Sequence, residues 1–471
     1  MIYRCFRISQ RHPKKMLFFS AILILFLGAS VSKMRFLLST DDLIGDGIPS
    51  ADRQISLKKN YPEGPTSLLV LTPSKERGNF SADELCKVRK WLSEERLLND
   101  DLIDVQSPYD LRRASDPKNP KYLMYPLLFE LDCAHIELAQ KTLSAKWEAV
   151  RGSPWGFLLT DKGGRDFSIQ FTFKESPNFR FGNFNPKVVQ DLRDHFEKTV
   201  LPLLPSTQHY WVGTADYQHA TQIGLQYASR LNLIMLLFLM VAIRLAYGTW
   251  RAGFVFNVTL ILAAMIVYGA KGLLHSPFDV MSNSIFLMLG ISTLQDFIFL
   301  LGDQLEYGSS WSASVRRLLL PSFYTSLTTM IGFLSLCTSH LGVITRLGFW
   351  SAVGAFVEWL LIFFLLPCVV TVFGRKNPWV NREKAYLARL VRGWSKKGVS
   401  PRIAWGSMIV YPVAFIAAFH LNVNDSSHLL FQKTHQLRAG LEHLLETRGW
   451  FGSVSLVFSN NLDESKKNGN F

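Results

Sequence analysis

Between residues 229 and 373 five apolar segments follow one another closely, at about 229–247, 253–271, 281–302, 318–339 and 345–373. Each is long enough to cross a bilayer, and the polar joints between them are short. A chain in lipid must satisfy its backbone polar groups internally, so this stretch is expected to be a bundle of membrane helices. Arg244, Arg251, Arg316 and Arg317 all fall on one side of that bundle. With the amino terminus inside, that side is the cytoplasm, in agreement with the positive-inside bias.

The remainder of the chain is different in kind. Of the 471 residues 48% are hydrophobic, yet 19% are charged. This mixture indicates membrane helices alternating with soluble domains. The net charge of +14 is concentrated at Arg4, Arg7, Arg11, Lys14 and Lys15 and again between Arg375 and Arg402. Both clusters abut apolar segments, which excludes nucleic acid as the partner they serve. The segment Met16–Val31 is expected to be an uncleaved anchor, although GASVS offers small residues for signal cleavage.

The predicted order is a cytoplasmic tail (1–15), a first span (16–31), an extracytoplasmic α+β domain (32–227) and a five-helix bundle (228–373). A basic cytoplasmic linker (374–402), a seventh span (403–419) and the start of a second extracytoplasmic domain (420–471) follow. In the first domain SLLVLTPS (67–74) reads as a buried strand. Ser81 to Leu97 reads as a helix, with Ser81 and Glu84 as a capping box. Residues 156–173 read as a hairpin about Gly163-Gly164, and Asn185 to Leu204 as another helix. The expected domain has its helices on one face of a sheet. In the linker, Pro378 to Trp394 either lies on the membrane surface through Trp379, Tyr386, Leu387, Leu390 and Trp394 or is solvated.

There are five cysteines. Cys86 and Cys133 share the first domain and are candidates to pair, whereas Cys337 and Cys368 sit in apolar segments as small buried residues. No spacing suggests a metal site, and no motif calls for a cofactor. His428, His435 and His443 fit an amphipathic helix better than a ligand set.

Residues 437–458 echo residues 49–70 at a constant offset of 388: Ala439 matches Ala51, Leu445 matches Leu57, Gly452 matches Gly64, Ser455 matches Ser67 and Leu456 matches Leu68. Each copy follows a membrane segment and has the same helix-then-strand order. The expectation is a duplicated unit whose second copy is incomplete, its lone strand leaving a sheet edge unpaired and an apolar face uncovered. On this reading the chain is a truncated product, or two half-size chains associate.

Asp296 lies deep in the apolar run Ser284–Leu301. A carboxylate near the centre of a membrane helix costs about 2.5–3.5 kcal/mol on insertion scales, so it is expected to face protein or water and to handle an ion or substrate. Ser292, Asp296, Phe299 and Asp303 form one helical stripe. Along it a proton path runs toward the cytoplasm, or Asp303 is simply interfacial. Thr325, Ser326, Thr328 and Thr329 lie at comparable depth, where hydroxyls bond across helices, hold water beside a carboxylate or allow close packing. Glu358 falls halfway across the sixth segment. There it either shares a proton with Asp296 or contacts a polar lipid head group.

The layout, and several stretches within it, resemble the resistance–nodulation–division (RND) superfamily, specifically the MmpL-type exporters of lipids and other hydrophobic molecules. SVRRLLLPSFYTSLTTMIGFLSL (314–336) is similar to that family's fifth helix, and GLLHSPFDVMSNSIFLMLGIS (272–292) to the segment entering its fourth. VGTADYQHA (212–220) resembles the approach to the second helix and LLTDKGGRDFSIQF (158–171) the exported hairpin. The resemblance implies that Asp296 is the proton-binding carboxylate. Gln295 and Phe297 depart from the neighbours that often supply a second carboxylate or a hydroxyl, and Glu358 stands where the family is apolar.

The resemblance further implies proton-driven export of a lipid or similar hydrophobic molecule from a multi-pass position in the cell membrane, the inner membrane if the source is a Gram-negative bacterium. Protonation of Asp296 would shift helices four to six and rock the exported domains. The partners implied are the cargo, protons, membrane lipids and a second half-chain or a homo-oligomer. The competing reading is a sterol-sensing-like membrane sensor or scaffold that transports nothing. No GxSxG, HExxH or phosphate-cradling loop argues for an enzyme.

Overall fold

The computed structural model describes residues 11–34, 64–74, 78–111, 127–153, 156–161, 163–174, 185–308, 311–373, 380–381, 383–386, 401–418 and 431–449, with Phe6 and Ser9. In chain order its elements are α1 (Pro13–Ser30), β1 (Thr66–Pro73), α2 (Ala82–Leu98), β2 (Leu102–Gln106), α3 (Ile136–Arg151), β3 (Phe167–Phe173), α4 (Lys187–Thr199) and β4 (Thr207–Val212). There follow α5 (Thr214–Tyr247), α6 (Trp250–Leu273), α7 (Ser282–Tyr307), α8 (Trp311–Ser335), α9 (Gly342–Leu360), α10 (Leu366–Phe373), α11 (Pro401–Ala418) and α12 (Gln436–Arg448). Leu361–Leu365, between α9 and α10, is a π-type turn. The chain divides into two compact units.

The first unit contains the long helices. Among the described residues six helical stretches are long and apolar enough to cross a membrane: Pro13–Lys33, Thr214–Tyr247, Trp250–Leu273, Ser282–Tyr307, Trp311–Thr338 and Gly342–Val372. The further 18-residue helix α11 stands where the seventh span is expected. Helix α7 is the centre of the bundle and touches α5, α6, α8 and α9. The core around it includes Phe256, Leu260, Leu289, Phe297 and Ile362. Helix α1 lies directly on α6, because a Cβ at Gly269 or Gly272 would collide with the carbonyl of Leu27 or Ser30. Backbone approach of this kind through small residues is how membrane helices gain packing contact. Helices α5 and α6 meet across two residues, and Gly248 takes φ +81° to make that reversal.

Of the basic linker, residues 380–381 and 383–386 are described. Asn381 N–H donates to the Tyr247 carbonyl (2.9 Å), and Tyr386 is exposed. Trp379, Leu387, Leu390 and Trp394 lie outside the described residues, as does the second-copy strand after residue 449.

The second unit is built on a four-stranded sheet of order β2-β3-β1-β4. Strand β1 is antiparallel to both β3 and β4, with Leu69 opposite Ile169 and Trp211. Strands β3 and β4 are therefore mutually parallel, joined through α4 with β1 between them, a split βαβ arrangement. Period-two alternation sends Phe167, Ile169, Phe171 and Phe173 to one face, where none is exposed to solvent. Trp91 of α2 packs on Phe171 (6.0 Å) and Phe196 of α4 (5.2 Å). The expected capping box at Ser81 is present, with Ser81 N–H donating to Glu84 (2.9 Å).

One expectation for this unit is corrected. Residues 156–173 do not form a hairpin: Gly156–Leu159 is a single helical turn, and only Phe167–Phe173 is a strand. The Asp161 carboxylate gathers the N–H groups of Gly163 (3.1 Å), Arg165 (2.5 Å) and Asp166 (3.0 Å), which folds the glycines into a side-chain-capped loop. Strand β3 takes β1 as its partner instead.

Helices α2, α3 and α4, those of the expected domain, lie on the Phe167–Phe171 face of the sheet. Helix α12 packs on the other, with the His443 ring stacked on Tyr210 (4.6 Å). Nε2 of His443 meets Thr72 Oγ1 and Asp166 Oδ2, each at 3.1 Å, and Arg448 donates to Ser168 Oγ (2.5 Å). His435 caps α12, its Nδ1 accepting from Leu437 N–H (3.2 Å). Burial and the nearby Arg193 push that imidazole's pKa down, which suits a neutral ring accepting a hydrogen bond.

Cys86 of α2 and Cys133 are disulfide-bonded, their Cα atoms 5.7 Å apart, while Cys337 and Cys368 are free. Maleimide labelling of the denatured chain should gain two labels after reduction, and Cys86→Ser with Cys133→Ser should remove that gain. Equal labelling with and without reductant would rule the bridge out.

Candidate functional site

A buried carboxylate is tolerable in an apolar bundle only where neighbouring groups solvate it. Asp296, on α7, is 3% exposed and accepts a hydrogen bond from Ser322 Oγ of α8. Glu358, on α9, is fully buried and lies within interaction range of Ser292 and Asp296. Neither Glu358 oxygen completes a hydrogen bond of ordinary geometry among the described residues. The site therefore joins three helices: two carboxyls on α7 and α9, with hydroxyls from Ser292 and Ser322. The turn bearing Glu358 runs directly into the π-type turn Leu361–Leu365, a distortion often found beside functional groups.

Among the described residues, the basic side chains nearest in sequence to the site are paired elsewhere. Arg317, the basic residue of α8 nearest in sequence to Ser322, pairs with Asp303 (3.0 Å) and lies over the Tyr307 ring (4.6 Å). Arg346 of α9 pairs with Asp279 (2.9 Å). Lys271 of α6, fully buried, donates to Ser282 Oγ (2.5 Å). Asp279 Oδ1 also accepts from both the N–H and the hydroxyl of Ser282, each at 2.8 Å. Two acids buried within interaction range of each other disfavour being ionised together, so the pair is suited to sharing a proton.

The residues singled out in the sequence are placed unequally. Asp296, Glu358 and Ser292 come together. Gln295 is half-buried one residue from Asp296, and Phe297 turns onto Phe256 of α6 (5.4 Å), away from the carboxyls. The stripe toward Asp303 is interrupted: Phe299 points outward, 42% exposed, and Leu300 is the buried residue at that level. Asp303 is buried in its ion pair with Arg317, at the Tyr307 end of α7.

On α8, Thr325 donates to the Pro321 carbonyl (3.1 Å), and Thr328 and Thr329 donate to the Thr325 carbonyl (2.8 and 3.0 Å). Their hydroxyls serve their own helix, and Thr328 is exposed. The helical rotation of 100° per residue carries Thr325 and Thr328 off the face that Ser322 and Ser326 present. Ser326 is buried one turn beyond Ser322.

Sequence reasoning missed Ser322. Its signal was available in the spacing Ser322, Ser326, Thr329, which continues one face of α8 back to Pro321. The Lys271–Ser282–Asp279–Arg346 network was also missed, because it joins positions 75 residues apart by contacts that no local pattern encodes. No group of His, Cys, Asp and Glu side chains suited to a metal occurs among the described residues. Two surface depressions on the second unit, one lined by Ser81 and Gln140 and the other by Arg96 and Ile103, contain none of the candidate carboxyl or hydroxyl site residues.

The fold and the site together describe a chain of membrane-type helices carrying a buried carboxyl pair. No family model and no curated protein matches it. Among solved structures it is similar to a heavy metal efflux pump at 13% identity and a TM-score of 0.42, over 88% of this chain and 51% of the pump. The chain spans about half the length of that protein.

The Asp296 contact yields a direct test. Ser322→Ala should lower the unfolding stability of the detergent-purified chain by about 1–3 kcal/mol, the cost of stranding a buried acceptor. Thr328→Ala, exposed and bonded within its own helix, should stay within about 0.5 kcal/mol. Equal melting curves for the two variants would show that Ser322 does not solvate Asp296.

Proposed function

We propose that this chain is part of a proton-driven membrane transporter of the RND type that exports a lipid or another hydrophobic molecule. The observation that carries the reading is the Asp296–Glu358 pair, carried by the packed helices α7 and α9 and buried, with the hydroxyls of Ser322 and Ser292 beside it. Intramembrane carboxyls kept at such cost mark ion pathways. A pair that gains and loses one proton changes the charge between two packed helices by one unit. That biases one arrangement of α7 and α9 over the other, as transport coupling requires.

The helix ends then take sides. The Tyr247, Tyr307 and Phe373 ends face the cytoplasm with Arg244, Arg251, Arg316 and Arg317, and the Leu273 and Ser282 ends face out. The disulfide in the sheet-bearing unit suits an oxidising, extracytoplasmic location. Asp303, ion-paired with Arg317, acts on this reading as an inner tether of α7 to α8. The working partners are a hydrophobic cargo, protons, membrane lipids and a second half-chain or second copy supplying the opposing helices. The chemistry is vectorial, with no covalent step assigned to any residue.

The experiment is export of a fluorescent lipid from vesicles containing the full chain, with a pH gradient imposed. Asp296→Asn should reduce gradient-stimulated transport by roughly tenfold or more, and Glu358→Gln should also reduce it. Transport that ignores both the gradient and Asp296→Asn would overturn proton coupling. Cargo binding without transport in the wild type would favour a membrane sensor.

A further inference from the structure

Between Arg346 and Leu360, α9 carries two side chains with a hydroxyl or carboxyl: Ser351 and Glu358. Both are buried, Ser351 Oγ has no hydrogen-bond partner among the described groups, and neither Glu358 oxygen completes a hydrogen bond of ordinary geometry there. This is unusual for a helical hydroxyl. Thr259 and Thr293 bond the carbonyl four residues back, at 2.8 and 2.9 Å, as do Thr329 and Thr371. The Ser351 hydroxyl has forgone that bond, and an unpaired buried polar group costs about 1–3 kcal/mol. Ser351 and Glu358 are seven residues apart, two helical turns on one face and about 10 Å along the axis.

That face of α9 packs on α7. Gly354, between the two polar residues, has no side chain to separate the helices, and an added Cβ would come within 2.7 Å of the Leu289 side chain and 3.7 Å of Val267. The obstruction along the seam is thus a leucine side chain, which can change rotamer, and not backbone. Above Ser351, toward the Ser282 end, Arg346 of α9 pairs with Asp279 in the turn that leads into α7, with Asp279 buried and Arg346 partly exposed. Ser351 and Glu358 therefore share one face of α9, separated by one movable apolar side chain, while the Asp279–Arg346 pair stands beyond the outer end of that face, Arg346 being about 140° around the helix from Ser351.

We propose that Glu358 exchanges its proton with the outer side along the α7–α9 seam, with Ser351 as the waypoint, Leu289 over Gly354 as the dry constriction and the Asp279–Arg346 pair closing the mouth. Water reaching Ser351 supplies the partner its hydroxyl lacks, and the proton passes by exchange of O–H bonds with no net chemistry. The assignment rests on the transporter reading for its purpose, but the access itself is measured without transport.

The test uses the full chain in membranes, with Cys5, Cys337 and Cys368 changed to serine and the Cys86–Cys133 bridge kept. Ser351→Cys and Ala352→Cys are each treated from the outer side with a small, membrane-impermeant methanethiosulfonate ammonium reagent. Both positions are buried, but Ala352 is rotated 100° from the Ser351 face. Ser351→Cys should be modified and Ala352→Cys spared, and either Asp279→Asn or Arg346→Gln should speed modification at 351 by roughly tenfold. Ser351→Ala should slow acid-driven proton uptake while leaving the melting temperature near that of the wild type.

An unreactive Ser351→Cys in all three backgrounds, or equal reaction of Ala352→Cys, would overturn the route. If the wild type shows no gradient-driven transport but Ser351→Cys reacts as expected, the coupling reading fails and the route stands. If transport is gradient-driven while Ser351→Cys is inert and Ser351→Ala takes up protons normally, the route fails and the coupling reading stands.

Discussion

Two carboxyl groups buried between facing helices, with no ion pair to a cation among the described residues, set the terms for the rest of the bundle. Asp296 and Glu358 cannot both be ionised in so apolar a place without mutual repulsion and a large desolvation cost. Hydroxyls at Ser322 and Ser292 moderate that cost but carry no charge. The basic side chains that could have neutralised the pair are engaged at the helix ends instead: Arg317 with Asp303, Arg346 with Asp279 and Lys271 with Ser282. A bundle built only for stability would gain by replacing the carboxyls with apolar groups of similar volume. Retaining them makes sense where a change of protonation is itself useful.

Helix α7 is tied to its neighbours at three levels. At its Ser282 end the Asp279 and Ser282 cluster joins it to α6 and α9. In the middle Asp296 and Glu358 link it to α8 and α9, and at its Tyr307 end Asp303 joins it to α8. The end contacts are ion pairs or charged hydrogen bonds, whereas at the centre a hydroxyl donates to one acid and a second acid lies within interaction range. On the proton-coupled reading proposed above, a change of protonation at the centre would act between fixed ends and favour a discrete switch in helix packing over gradual drift.

Much of this architecture was legible in the sequence because it rests on local periodicity. Apolar run lengths located the long helices, the Ser81–Glu84 spacing gave a real cap, and the alternation in residues 167–173 marked a strand. What failed depended on partners distant in the chain. The Gly163-Gly164 turn looked like a hairpin until Asp161 gathered its N–H groups and β1 proved the better partner for β3. The hydroxyl-rich run at 325–329 drew attention by composition, yet Ser322 bonds Asp296, because helix rotation and not hydroxyl density decides which side chain faces inward. His443 looked incidental in one dimension, and its stacking on Tyr210 exists only once α12 reaches the sheet.

The placement of Glu358 shows how two acids far apart in the chain can be brought to one site. Phe297, directly beside Asp296 in sequence, is committed to the core against Phe256, so a polar group at that position would have left the site for the α6 contact. A second carboxyl can reach Asp296 only from a helix already packed on the face that Asp296 presents. Helix α9 is such a helix, brought close by Gly354 and Ala355 on its near side. What must be kept is therefore a relation across the α7–α9 seam, two acids within interaction range in a dry environment, and it can be met by residues 62 positions apart as well as by neighbours in one motif.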